Sequence, residues 1–136
     1  MDRCLQILGL AKKAGLLAVG AEDTRSLARA GKIRLVLSAG DASDSALRRA
    51  RNSAEAGRAL HMTVPYTSFE LGNVSGRGSP GTVGFLDVGL AARFLRELAL
   101  ADPERYGETA ELLTKKAQEQ TERKKHSTTG KRRTVQ

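Results

Sequence analysis

The sequence predicts an α/β sandwich over residues 1–100, followed by a helix and a basic tail in residues 101–136. Two observations carry this prediction. Four short apolar stretches have the length of strands, and segments with the apolar spacing of helices separate them. Strands that alternate with helices are typical of a sheet covered by helices. The chain of 136 residues is also near the usual size of one domain.

The first helix is indicated by the apolar residues between positions 5 and 10. We expect it to end near Gly15, because glycine commonly follows the last turn of a helix. Lys12 and Lys13 support this end, since positive charge suits the carboxyl end of the helix dipole. Residues 16–19 are then predicted to form a short strand.

A second helix is predicted to begin at Gly20 and to end before Gly31, another helix-terminating glycine. Residues 35–37 are entirely apolar and predict a buried strand. Residues 41–44 contain several helix-capping side chains and predict a turn. The Ala- and Arg-rich segment after this turn is therefore predicted to be the third helix.

The middle of the chain is predicted to hold a short strand at residues 64–66, whose proline places it at an edge or at a strand end. Ser68 can cap a one-turn helix over residues 69–71 that stops at Gly72. A flexible loop with four glycines is expected between Gly72 and Gly81.

The last strand is predicted over residues 83–88 and the last core helix over residues 89–100. Asp102–Glu104 combines a cap, a first-turn proline and an acid, and indicates a helix that runs to about Arg123. We expect the polar tail beyond it to be disordered, because it cannot bury enough apolar surface to offset its ordering entropy. Six basic residues and no acid mark this end of the chain: Arg123, Lys124, Lys125, Lys131, Arg132 and Arg133.

Composition restricts the classes of protein that the chain can belong to. Its 23 Lys and Arg residues against 15 Asp and Glu residues give a net charge of +8, which favours a polyanionic partner. The single cysteine, Cys4, excludes a disulfide scaffold and fits a reduced, cytoplasmic location. No apolar run reaches the length of a membrane span, and the start of the chain does not resemble a secretory signal.

The sequence does not predict a catalytic, metal or cofactor site. His61 is expected at a solvated helix end and Cys4 as a small buried hydrophobe, and no metal-ligand spacing occurs. Residues 76–81 fit the G-x-G-x-x-G pattern of dinucleotide-binding folds, but here the glycines precede a strand instead of following one. We therefore interpret them as a flexible loop in which Arg77 offers a planar cation for phosphate contact or base stacking. An ordinary surface loop is the alternative.

The segment Gly20–Arg25 is a candidate binding site, because it lies at a strand-to-helix turn where free backbone N–H groups point outward. Two roles are open for Glu22 and Asp23. They can complement the helix dipole, or a carboxylate can accept hydrogen bonds from base edges of a nucleic acid. In the second case, phosphate contacts are expected from nearby basic residues: Lys12, Lys13, Lys32 and Arg34.

Several blocks, in this order, resemble the ribosomal protein L-seven-Ae/L-thirty-e superfamily, with the bacterial YlxQ-like proteins as the most similar branch. The blocks are residues 10–15, 19–24, 31–43, 64–66 and 71–72, followed by the glycine-rich basic loop. The resemblance spans about residues 3–100 and implies a three-layer α/β/α sandwich with a four-stranded mixed sheet. It also implies binding to structured RNA, usually a kink-turn.

The resemblance further implies two RNA-contacting segments. One is the turn that opens the second helix, here Gly20, Ala21, Glu22, Asp23, Thr24 and Arg25. The other is the loop before the last strand, here Val74, Ser75, Gly76 and Arg77. Kink-turn binders of the family carry Asn and then Glu in the first segment, with Lys three positions further on. This chain has Glu22, Asp23 and Ser26 at the corresponding positions.

Together these observations predict a non-enzymatic, cofactor-free protein that binds structured RNA, with ribosomal RNA or the ribosome as the expected partner. The RNA-binding domain is expected over residues 1–100, and the extension 101–136 is expected to add phosphate affinity. An adaptor for other proteins on the same fold is the alternative. An RNA-modifying enzyme is a third candidate, but the chain has no room for a separate catalytic domain.

Overall fold

The computed structural model describes residues 2–123, and of residues 124–135 it gives only the course of the last helix. The predicted disorder after Arg123 therefore concerns residues outside the described part. The helices are α1 (Arg3–Lys13), α2 (Ala21–Arg29), α3 (Asp44–Ala56), α4 (Ser68–Ser75), α5 (Val88–Ala101) and α6 (Pro103–Val135). The strands are β1 (Leu17–Val19), β2 (Leu35–Ser38), β3 (Leu60–Thr63) and β4 (Thr82–Phe85).

The four strands form one mixed sheet in the order β1-β4-β2-β3. Strand β4 pairs antiparallel with both β1 and β2, whereas β2 and β3 run parallel. Phe85 of β4 lies opposite Leu17 on one side and Leu35 on the other, so these residues mark one end of the sheet. The mixed sheet implied by the family resemblance is confirmed.

Helices cover both faces of the sheet and bury two separate cores. Leu35 and Leu37 point into the larger core, under α1, α4, α5 and α6, whereas Val36 points into the smaller core, under α2 and α3. This alternation follows from the two-residue period of a strand. The predicted three-layer α/β/α sandwich is confirmed.

The smaller core is built from small side chains that let the backbones approach closely. A Cβ atom at Gly57 would collide with the backbone of Ala28, so glycine at this position lets the end of α3 pack against α2. A Cβ atom at Gly84 would lie 3.1 Å from the methyl group of Thr24 and 3.0 Å from Ile33. These two glycines bring α2 close to both α3 and the sheet.

The third strand differs from the prediction. It spans Leu60–Thr63 and not residues 64–66, and it pairs in parallel with β2 from Leu35 opposite Leu60 to Ser38 opposite Thr63. Pro65 cannot donate a backbone hydrogen bond, so regular pairing ends before it. All four residues of β3 are half-buried at the edge of the sheet. Its apolar residues, Leu60 and Met62, alternate with polar ones and pack against the larger core.

The fourth helix is also longer than predicted, because α4 continues through Gly72 to Ser75. The hydroxyl of Thr67 accepts a hydrogen bond from the Glu70 backbone, and the Glu70 carboxylate accepts one from the Thr67 backbone. This capping box fixes the start of α4. Gly76 takes the left-handed conformation that ends it, so only residues 76–81 form the expected glycine loop.

The last strand is shorter than predicted, since β4 ends at Phe85 and Asp87 caps α5, which begins at Val88. The predicted start of the final helix is correct: Asp102 precedes Pro103, and its carboxylate accepts a hydrogen bond from the Arg105 backbone. The first turns of α6 belong to the larger core. They bury Tyr106, Ala110 and Leu113. No helix of the described part is long and apolar enough to cross a membrane.

Candidate functional site

The start of α2 lies at the end of the sheet opposite Phe85. Gly20 leaves β1 with a φ of +97°, and its N–H donates to the Thr82 carbonyl at 2.9 Å. No side chain caps the helix, so its first N–H groups remain available to a ligand. Glu22 and Asp23 are exposed in the first turn. The segment therefore combines unused backbone donors with two carboxylates.

The glycine loop reaches this helix start through Arg77. One guanidinium nitrogen, Nη1, donates to the Val19 carbonyl at 3.3 Å and to the Asp23 carboxylate at 3.1 Å. The loop is held against α4 at its base, because the Gly78 carbonyl occupies the place that a Cβ atom of Gly72 would take. The structure thus brings together the two segments that the family resemblance implies.

Three predicted contact residues do not offer their side chains to a ligand. Thr24 is fully buried between α2 and the sheet, and its hydroxyl has no hydrogen-bond partner in the described residues. Ser75 is buried in the last turn of α4, where its hydroxyl donates to the Gly72 carbonyl at 3.5 Å. Val74 is half-buried in the same turn. The expectation that Val74 and Ser75 lie in a loop is wrong, because α4 continues past Gly72.

The remaining predicted cations lie at the other end of the sheet. Arg34 immediately precedes β2, and its N–H donates to the Phe85 carbonyl at 2.7 Å. Lys32 lies two residues before Arg34, after α2 has ended. Lys12 and Lys13 complete α1 just before β1 begins at that same end. These four residues are therefore not neighbours of Arg77.

A basic groove between α2 and α3 adjoins the helix start and was not anticipated from the sequence. It has a volume of 390 Å³, and Arg25, Arg29 and Arg49 line it together with Asn52 and Glu22. Arg25 and Arg29 are one helical turn apart, and this spacing is visible in the sequence. The contribution of Arg49 depends on the close packing of α3 on α2, which arises only in the tertiary structure.

The remaining candidate for chemistry is the pair formed by His61 and Ser38. His61 Nε2 lies 2.8 Å from the Ser38 hydroxyl, and burial together with the charge of Arg51 lowers the pKa of His61. The expected solvated helix end is wrong, because His61 belongs to β3. Ser38 is fully buried, so it cannot meet a substrate, and the contact joins two strands. Cys4 is buried, as predicted.

Two solved structures share this fold. A Bacillus halodurans protein of unknown function superposes with a TM-score of 0.64 at 22% identity, covering 71% of this chain and 97% of that protein. A Giardia lamblia 15.5kD RNA binding protein superposes with a TM-score of 0.54 at 16% identity, covering 66% of this chain and 79% of that protein. No family model and no curated protein matches the sequence. The chain therefore has an α/β/α fold that an RNA-binding protein also uses.

Proposed function

We propose that this protein is a non-enzymatic RNA-binding protein that holds a folded RNA at the start of α2. The observation that carries the proposal is the contact between Arg77 and Asp23, which joins the glycine loop to a helix start with unused backbone donors. The fold shared with an RNA-binding protein supports it. So does the net charge of +8.

Each part of this surface has a role that its chemistry suits. The free N–H groups of α2 attract phosphate or base acceptor atoms, and the helix dipole strengthens that attraction. The Asp23 carboxylate can accept hydrogen bonds from base amino groups of an RNA. The guanidinium of Arg77 carries five N–H donors, and its Nη1 atom already donates to Val19 and Asp23. Its second amino group and its planar face remain for the ligand.

The groove between α2 and α3 is proposed to carry the RNA backbone away from this point. Arg25, Arg29 and Arg49 can neutralise successive phosphates, which positions the RNA without reading its sequence. Arg49 is partly held by its own helix, since Nη2 donates to the Ser45 hydroxyl at 3.3 Å. Only Glu22 opposes phosphates along the groove.

The RNA is proposed to be kink-turn-like, as the family resemblance implies, and we propose that it is ribosomal. A sharply bent RNA suits a site in which a helix start and a loop approach each other, because both can contact one distorted element. The additional acid, Glu22, and the missing lysine at Ser26 are expected to lower affinity for a kink-turn relative to family members that carry the usual residues.

Filter binding of the full-length protein to a kink-turn RNA, to a straight duplex of matched length and to total ribosomal RNA tests the proposal. Titrations at several salt concentrations should show tighter binding to the kink-turn RNA than to the duplex. Arg49→Gln should weaken binding to both, whereas Arg93→Gln, the same charge change at an exposed position of α5, should change it less. Absence of any structure-dependent RNA binding would instead favour the adaptor.

Sequencing RNA that is crosslinked to the protein in cells identifies the natural target. Recovery of ribosomal RNA sites with a bent element is the expected result. Recovery of messenger or transfer RNA alone would contradict the ribosomal part of the proposal and leave the RNA-binding part intact.

A further inference from the structure

A second basic groove lies at the opposite end of the sheet from Arg77. It forms where the segment before β2, the end of α3 and the side of α6 meet, and its volume is 390 Å³. Four cations and one acid line it: Arg34, Arg58, Lys116, Arg123 and Glu119. Within residues 2–123 none of the five takes part in an ion pair, and the four cations outnumber the one acid of the lining.

This groove is separate from the surface around the start of α2. Arg34 lies at the Phe85 end of the sheet, whereas Gly20 lies at the Thr82 end. The three steps from Leu35 to Ser38 in β2 separate the two ends by about 10 Å, given a rise of about 3.3 Å for each residue. A ligand in this groove therefore makes contacts that the α2 start cannot make.

The backbone of Arg58 provides an independent observation. Three helices of this protein end in the same motif, in which the residue after the cap takes a left-handed conformation and donates to a carbonyl three positions back. In α1 and α2 this residue is Gly15, with a φ of +74°, and Gly31, with a φ of +75°. In α3 it is Arg58, with a φ of +56°, the only such non-glycine among the described residues.

Glycine is the usual residue in this conformation because a Cβ atom is strained there. The strain at Arg58 is not offset by burial, since the residue is exposed. The glycine of this turn, Gly57, does not occupy the left-handed position, because it is needed one residue earlier, where α3 packs against Ala28. What distinguishes Arg58 from glycine at this point is a guanidinium group beside the groove. A strained backbone at an exposed position without a packing benefit is consistent with a functional role for its side chain.

We propose that this second groove binds phosphate groups of the RNA backbone, so that one RNA contacts both ends of the sheet. Guanidinium and ammonium groups that line one groove, with no ion pair among the described residues, suit phosphate oxygens. The lining contains no aromatic residue, so base stacking is not expected and the contacts should be independent of sequence. The inference rests on RNA being the partner, as proposed above, but not on the site at α2.

Arg58→Gly in the full-length protein gives the sharpest test, because it should act in opposite directions on stability and binding. Removing the strained side chain should raise the melting temperature. Removing the cation should weaken binding to a plain RNA duplex and reduce the salt slope by about 0.9 for each phosphate that the protein no longer neutralises. Arg58→Lys keeps the charge and should retain most of the affinity.

Arg34→Gln should lower the duplex affinity and the salt slope as Arg58→Gly does, whereas Arg93→Gln controls for net charge. Wild-type affinity and slope in both groove variants would overturn the inference, and so would an equal loss in Arg93→Gln. The inference would also be overturned if inorganic tripolyphosphate stabilised the protein and an RNA duplex failed to displace it, because the groove would then bind phosphate but not RNA. Arg77→Ala separates the two sites: if it has no effect while the groove variants bind weakly, the site at α2 fails and this groove stands.

Discussion

Arg77 and Asp23 are 54 positions apart in the sequence, and a hydrogen bond of 3.1 Å joins their side chains. The same nitrogen of Arg77 also donates to the last carbonyl of β1, at Val19. The side chains are 61% and 58% exposed, so the ion pair contributes little to folding, about 0–1 kcal/mol. Its effect is to place a guanidinium and a carboxylate side by side at the start of α2.

Arg77→Ala is expected to weaken RNA binding by about 1–3 kcal/mol with little loss of stability. Asp23→Asn should also weaken binding, although it removes a negative charge, because a neutral amide replaces an ionised acceptor and loses its arginine partner. Binding titrations and urea unfolding of each variant measure the two effects. Arg93→Ala is the matched control for loss of one exposed arginine.

A double variant that combines Arg77→Ala with Asp23→Asn shows whether these two residues act together in RNA binding. If RNA contacts them as one unit, the effect of the double variant should be smaller than the two single effects added together. Simple additivity would mean that Arg77 and Asp23 contact the RNA independently. Unchanged affinity in Arg77→Ala would remove the glycine loop from the interface.

Replacement of Glu22 should improve binding, since this carboxylate is the one acid among the arginines of the α2–α3 groove. Glu22→Gln relieves repulsion from phosphates and should strengthen binding to a kink-turn RNA and to a plain duplex alike. Glu22→Asn also restores the amide of the related kink-turn binders, so its additional gain should appear only with the kink-turn RNA. Either change should cost about 0.3–1 kcal/mol of stability, because an acid at the helix start is lost.

If Glu22→Asn and Glu22→Gln raised the affinity for both RNAs equally, the side chain at position 22 would affect RNA binding only through its charge. Weaker binding by either variant would mean that the Glu22 carboxylate itself accepts a hydrogen bond from the RNA.

Gly72→Ala should disturb the glycine loop from beneath, because the new methyl group would collide with the Gly78 carbonyl. We expect a loss of about 1–3 kcal/mol in stability, which is typical of overpacking, and weaker RNA binding as the loop moves Arg77.

Gly107→Ala is the control for this prediction, since Gly107 lies in α6 with nothing near its missing Cβ atom. That variant should gain about 0.5–1 kcal/mol from helix propensity and bind RNA normally. If the folded Gly72→Ala variant bound RNA normally, RNA binding would not depend on where the glycine loop holds Arg77.

Element boundaries that depend on local chemistry could be predicted from the sequence. Gly15 and Gly31 end helices because glycine adopts the left-handed conformation that the end requires, and Asp102 caps α6 by hydrogen bonding within one turn. The edge strand β3 was predicted at the wrong residues. Leu60 and Met62 alternate with His61 and Thr63, but the pattern covers only four residues. The parallel pairing with β2 that fixes this strand joins residues distant in the chain.

The candidate site was predictable only in part, for a similar reason. The exposed start of α2 follows from a strand-to-helix turn, which is visible in the sequence. The burial of Thr24 and the groove beside Arg49 follow from the close packing of α2 on the sheet and on α3, which depends on Gly84 and Gly57. Such contacts arise between residues distant in the chain, and a local pattern does not record them.

Deletion of residues 124–136 is expected to leave the fold intact. The buried residues of α6 that the structure describes all precede the deletion, and the last of them is Leu113. Five of the six basic residues near the end of the chain would be removed, so the salt dependence of RNA binding should become less steep. Thermal unfolding and salt titrations check both expectations. A large fall in the melting temperature would show that the deleted segment packs against the fold.

The stability of the protein should fall at mildly acidic pH because of His61. Burial, and then the charge of Arg51, lowers the pKa of this imidazole below its usual 6.5, so the folded state disfavours the protonated form. Between pH 6.5 and the lowered folded-state pKa, the unfolded chain binds more protons than the folded one, and the free energy of unfolding decreases as the pH falls.

His61→Gln should flatten this part of the stability profile, because glutamine does not titrate. Urea unfolding across this pH range measures the difference, and an equally steep profile in His61→Gln would assign the pH dependence to other groups.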